Sequence, residues 1–147
     1  IFVLLMTLTL PVLAQTKAEI DEYAKYICLY YTNEKLTGDL VSAMILHESS
    51  YNPESISSKK AYTLMQVREA AALDDIRDNP TQCQGWTVES IFFNWRRNVW
   101  AGINYFNKML IMARGDLRLA LRFYNCGPNA TQYNYNHADK VLKEFKK

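Results

Sequence analysis

Apolar residues along this chain recur with the period of an α-helix. Ile20, Tyr23, Ala24, Ile27 and Tyr31 stand three and four positions apart, the spacing that gathers side chains on one helix face. Thr16 and Glu19, just ahead of them, are spaced as a capping box. Asp39 is placed to cap a second helix running through Leu46, which ends near Ser50 because Asn52-Pro53 disfavours helical geometry before the proline. The longest stripe, Val99, Gly102, Ile103, Phe106, Met109, Leu110 and Ala113, predicts a buried central helix. Asp116 caps the next, with Leu117, Ala120, Leu121 and Tyr124 pointing one way and Gly127-Pro128 as its stop. A last short helix carries Ala138, Val141, Leu142 and Phe145. Ala61 to Val67 is β-capable but short, and Asp74 to Gln84 reads as polar loop. The expected class is mainly α (α+β), a single domain with a minor β element.

Ile1 to Ala14 breaks this pattern. It carries no charge, is rich in Leu, Val, Phe and Met, and closes on Val12-Leu13-Ala14 before Gln15 and Lys17. A spanning helix needs about 20 apolar residues, so the run reads as a signal peptide truncated at its start, cleaved after Ala14, with the folded domain at 15–147. The alternative is a retained N-terminal anchor. Export would place the protein in the periplasm or outside the cell. Nearly half of the 147 residues are apolar, enough for one core. The formal charge of +2 excludes nothing by itself but is too small to mark a nucleic-acid binder. Cys28, Cys83 and Cys126 would meet an oxidising compartment, where one disulfide plus one free thiol is the simplest arithmetic. Two histidines and scattered cysteines match no metal-ligand spacing, so no metal or cofactor is expected.

One charged residue falls on an apolar face. Glu48 lies seven, four and three residues beyond Val41, Met44 and Ile45, which puts its carboxyl with theirs. Partial desolvation and the negative end of the helix dipole both disfavour the charged form there. A carboxyl held protonated is what a leaving oxygen requires of a general acid. The bland alternative is a side chain that rotates outward or pairs with a nearby Lys or Arg, and periodicity alone does not choose.

The surrounding residues do. Glu48-Ser49-Ser50-Tyr51-Asn52-Pro53, then Ser57, then Ala61-Tyr62-Thr63-Leu64-Met65-Gln66, resembles the signature of the soluble lytic transglycosylase family with its lysozyme-like domain. Asn98-Val99-Trp100-Ala101-Gly102 with Tyr105 is similar to the segment opening that family's long core helix. Leu119-Ala120-Leu121 leading into Tyr124-Asn125-Cys126-Gly127-Pro128 resembles its second signature. The resemblance spans Ile20 to the C-terminus and implies Glu48 as acid and base, with Tyr124 beside it holding the reacting sugar. It also implies that Ser57, Gln66 and Asn125 face the glycan cleft. Each has another reading: Ser57 a turn residue, Gln66 a solvent-facing strand residue, Tyr124 core, Asn125 part of a helix cap. Ser49 either orients Glu48 or folds back onto its own helix. Lys60 and Thr63 depart from the pattern, since the family usually has Gly at both, and Thr63 adds a branched Cβ in a tight place.

A conventional glycoside hydrolase needs a second carboxylate, and Asp39, Asp74, Asp75 and Asp116 read as caps or surface loop residues. The resemblance therefore implies cleavage between N-acetylmuramic acid and N-acetylglucosamine of peptidoglycan with the muramoyl 6-hydroxyl as nucleophile, leaving 1,6-anhydromuramoyl ends. The alternatives are a goose-type muramidase hydrolysing the same bond and a weakly active wall-binding component of a secretion or conjugation apparatus. The expected partner is the glycan strand, the expected state a monomer.

Overall fold

The structure, a computed structural model, describes residues 15–131 and 134–146, so the proposed signal peptide lies outside the described residues. Helix α1 (Lys17–Cys28) starts as its sequence predicts. Thr16 Oγ1 accepts from the Glu19 amide at 3.2 Å, and Glu19 Oε2 accepts from the Thr16 amide at 2.8 Å. Ile20, Ala24 and Ile27 are buried, and α1 packs on α2 (Gly38–Ser49). The cap of α2 is Thr37 and not Asp39: its hydroxyl accepts from the Leu40 amide at 3.2 Å, leaving Asp39 in the first turn, 3.7 Å from Lys25. A Thr one step earlier satisfies the same orphan amides. The helix closes on Ser50, whose φ of 52° is left-handed.

The expected β element is small. It consists of two isolated antiparallel bridges, Ile56 with Tyr62 and Tyr62 with Val67. The stretch read as polar loop from Asp74 is different: α3 (Glu69–Asp78) runs through its first half. Three consecutive alanines, Ala70 to Ala72, favour a helix strongly enough to carry the acidic turn that follows. A short α4 (Val88–Phe93) follows, capped by Thr87. The predicted central helix is α5 (Trp95–Met112), capped by Asn94 and packed against α1, α3, α4 and α6. Its Ile103, Phe106 and Leu110 have no exposed surface, each burial stabilising the fold by roughly 1.5–3 kcal/mol. Asp116 caps α6 (Leu117–Cys126) as expected, and α7 (Asn136–Phe145) seats Ala138 and Val141 against α2 and α6. Among the described residues no helix is long and apolar enough to cross a membrane.

The segment between α2 and α3 is fastened to three helices. Asn98 of α5 is fully buried: its Oδ1 accepts from the Met65 amide at 2.9 Å, and its Nδ2 donates to the Tyr62 carbonyl at 3.0 Å. Ser49 of α2 donates to the Leu64 carbonyl at 2.9 Å as well as to its own helix at Ile45, 3.2 Å. Tyr124 of α6 donates to the Met65 carbonyl at 2.6 Å. Gly102 lets the turn approach, since a Cβ there would meet Met65 Cβ at 2.4 Å. Holding this path requires left-handed backbone at Lys60 (φ 55°), Thr63 (φ 57°) and Gln66 (φ 50°). The two departures from glycine thus stand where glycine is most useful.

Cys28, Cys83 and Cys126 are free thiols, and the expected disulfide is not formed. Burial pushes the Cys28 thiol up to about 11, and burial together with Asp75 pushes Cys83 up to about 12. Asp75 is itself buried, correcting its reading as a loop residue. Its Oδ1 accepts from Asn104 at 2.5 Å and Asn79 at 2.8 Å, and Cys83 Sγ lies 3.5 Å from Oδ2.

Thr63 is 3% exposed, left-handed, and its buried hydroxyl has no hydrogen-bond partner among the described residues. Thr63→Gly removes a backbone strain of about 1–2 kcal/mol and an unsatisfied hydroxyl. The added unfolded-chain freedom of glycine costs about 0.5–1 kcal/mol. The variant is expected to melt a few degrees higher; a lower melting temperature would show that the branched side chain packs favourably. At Asp75, desolvation raises the carboxyl above the ordinary aspartate range in spite of its hydrogen bonds. A raised acid favours the fold below its unfolded value and weakens it as pH rises past that value. The melting temperature of Asp75→Asn relative to the parent should therefore increase from pH 3 to pH 7, and a difference that stays flat or shrinks would reject this.

Candidate active site

The cleft takes its shape from the turn just described. Glu48 is the penultimate residue of α2, so the end of that helix and the start of the turn fix where its carboxyl points. It is joined by Ser57, Gln66, Tyr124 and Asn125 along one cleft of about 580 Å³, which Lys59, Arg68, Cys126, Ala130 and Asn134 also line. A second lobe of about 420 Å³ adjoins it through Gln66, Arg68, Tyr124, Asn125 and Cys126, and runs on to Asp74, Tyr105 and Lys108. All five sequence-derived candidates thus lie on one groove, drawn from α2, the turn and α6.

Each wall residue is held by a specific contact. The Tyr124 ring packs at a tilt on Tyr105 (centroids 5.4 Å apart) and edge-on against Phe106 (5.9 Å), while its hydroxyl is bound to Met65. Burial, and then the charge of Glu48, push its ionisation well above the ordinary tyrosine range, so it remains an O–H donor. Gln66 donates its amide to the carbonyls of Thr63 (2.9 Å) and Ser55 (3.3 Å), which commits its nitrogen and leaves its oxygen for the groove. Ser57 combines both of its readings. Its Oγ accepts from the Ala61 amide at 3.1 Å, closing the turn, while the residue lines the cleft. Asn125 is exposed at the rim, with Nδ2 3.4 Å from Cys126 Sγ.

The Glu48 side chain is 12% exposed, and its Oε1 lies 3.0 Å from Nε2 of His137, itself 17% exposed. Neither atom has an aligned hydrogen bond to any described residue. The contact joins the last turn of α2 to the first turn of α7. Sequence reasoning missed His137 because it stands 89 positions from Glu48 on a helix recognisable only by its apolar stripe. Lys59 and Arg68 were missed for a similar reason, since an exposed basic residue has no periodic signature. Among the described residues no group of His, Cys, Asp and Glu is placed to hold a metal.

The fold is similar to the X-ray structure of an inactive mutant of the lytic transglycosylase Slt from Pseudomonas aeruginosa, with a TM-score of 0.60 and 16% sequence identity. The match covers 88% of this chain and 21% of that one, so this chain spans about a fifth of that protein's length. A family model, the transglycosylase SLT domain, matches residues 26–145. With most of its length so matched, from the last turn of α1 to the end of α7, the chain belongs to the transglycosylase SLT domain family.

Proposed function

We propose that the chain is an extracytoplasmic peptidoglycan lytic transglycosylase that cleaves the β-1,4 bond between N-acetylmuramic acid and N-acetylglucosamine, with Glu48 as acid and base. The observation that carries this reading is the acid inventory of the groove. Among the described residues Glu48 is the one carboxylic acid lining its lobe. Asp74 borders the adjoining lobe and is paired with Arg77 at 2.9 Å, and Asp75 is buried against Asn104. Hydrolysis by an inverting or retaining route uses two carboxyl groups about 5–10 Å apart across the bond. A single acid suits a reaction whose nucleophile belongs to the substrate, because an attached hydroxyl has an effective concentration that no activated water needs to match.

On this reading Glu48 gives its proton to the leaving oxygen as the C1–O bond breaks, then takes the proton of the muramoyl 6-hydroxyl as the new C1–O6 bond forms. Tyr124, Gln66, Ser57 and Asn125 hold the sugars on either side of that bond. Lys59 and Arg68 bring positive charge to a polymer that carries lactyl and peptide carboxylates. Asp74, in the second lobe, is the feature that favours a muramidase instead, since it could orient water if released from Arg77.

Glu48→Gln is expected to lower cleavage of purified sacculi by about 10²-fold or more, the usual cost of losing a proton donor, with a melting temperature equal to or slightly above the parent. A rate within a few-fold of the parent would remove Glu48 from the mechanism. The products of the parent enzyme should carry anhydro ends, each lighter by one water than the hydrolytic product and resistant to borohydride. Mostly reducible muramic acid ends would assign the hydrolytic route and keep Glu48 as its acid.

A further inference from the structure

Several polar side chains of the groove and of the turn beneath it are engaged elsewhere. The Ser49 hydroxyl is spent on Leu64 and Ile45, the Tyr124 hydroxyl on Met65, and the Gln66 amide nitrogen on Thr63 and Ser55. His137 has its Nε2 3.0 Å from Oε1 of the acid, and neither atom has an aligned hydrogen bond to any described residue. It is not a stray surface residue. Ala138 and Val141, buried beside it on α7, lock the helix against α2 and α6, so the imidazole is delivered to the end of α2 by the packing of the core.

We infer that His137 is a positioning residue for Glu48, holding the carboxyl by Oε1 so that Oε2 is the oxygen presented to the glycosidic bond. The inference rests on the reading of Glu48 as acid and base. An imidazole with its proton on Nε2 donates to Oε1 in both protonation states of the carboxyl. When Glu48 has passed its Oε2 proton to the leaving oxygen, the acceptor is a carboxylate, and a hydrogen bond to a charged acceptor is about twice as strong as to a neutral one. When the 6-hydroxyl proton returns to Glu48, the bond relaxes and His137 is as it began, so no proton is gained or lost at the histidine. The bond is thus strongest when the glutamate is charged on the reaction path, and its benefit falls on the chemical step more than on substrate binding.

Saturation kinetics on soluble glycan strands test the inference, with the parent, Glu48→Gln, His137→Leu and His137→Gln compared alongside their melting temperatures. Gln carries an amide nitrogen at the reach of Nε2, so it retains the donor without the ring. His137→Leu is expected to lose about 10-fold or more in kcat, with KM within about twofold and no loss of thermal stability. His137→Gln should recover most of that loss. The inference is overturned if His137→Leu keeps kcat within twofold, if the loss is carried by KM, or if both variants slow equally. A lowered melting temperature in both would then assign the effect to packing of α7. Failure of the proposed function reads differently: the parent itself would not cleave, or Glu48→Gln would cleave as the parent does.

Discussion

The seating of the Tyr62–Val67 turn on α5 is the constraint on which the rest of the molecule depends. One fully buried side chain, Asn98, supplies both a donor and an acceptor to that turn, and Gly102 one helical turn later removes the Cβ that would hold it off. A buried amide is costly unless all its groups are paired, so these two bonds fix the register of the turn as well as its position. Once it is seated, the carbonyls of Leu64 and Met65 face Ser49 and Tyr124, and α2 and α6 are drawn to the same few residues. The acid at the end of α2 and the tyrosine of α6 are thereby set relative to each other through a turn that belongs to neither helix.

That arrangement explains why strain is tolerated at Lys60, Thr63 and Gln66. Left-handed backbone in three non-glycine residues within seven positions is unfavourable for each of them, and it persists because the surrounding contacts determine the path. The Thr63 carbonyl accepts from both the Gln66 amide nitrogen and its side chain, and the Thr63 amide donates to Ser55 at 2.7 Å. A relaxed conformation at Thr63 would break these bonds and turn Gln66 away from the groove. Backbone strain of this kind is concentrated where geometry matters to function.

The helices were legible from periodicity wherever one apolar face met the core: α1 and α6 fall where their stripes and caps place them, and α5 where its stripe does. The failures have physical causes. Asp39 is a good capping residue, but Thr37 was equally able and lay nearer the turn out of α1. The stretch around Asp74 looked like loop because acidic residues crowd it, whereas its alanines form α3 and Asp75 is turned inward, satisfied by amides from Asn79 and Asn104 that no local pattern reveals. Of the candidate site, the residues named from contiguous motifs, Glu48, Ser57, Gln66, Tyr124 and Asn125, share one groove. His137 was not readable, because its partner is reached only by the docking of α7 across α2 and α6.

A mechanism with one carboxyl places an unusual demand on that docking. In a two-acid glycosidase the tasks of donating and accepting a proton are divided, and each group needs to be correct at one moment only. On the proposed single-acid route the same oxygen would face the leaving group first and the 6-hydroxyl second, while the sugar moves between them and the carboxyl does not. A glutamate has three rotatable side-chain bonds, and at the end of a helix the backbone of α2 alone would not keep it still. On that route its immobility would come from neighbours outside its own helix: the turn beneath it, fastened by Asn98, and the start of α7 beside it. Residues far from Glu48 in sequence are therefore the ones that would allow a single acid to serve twice.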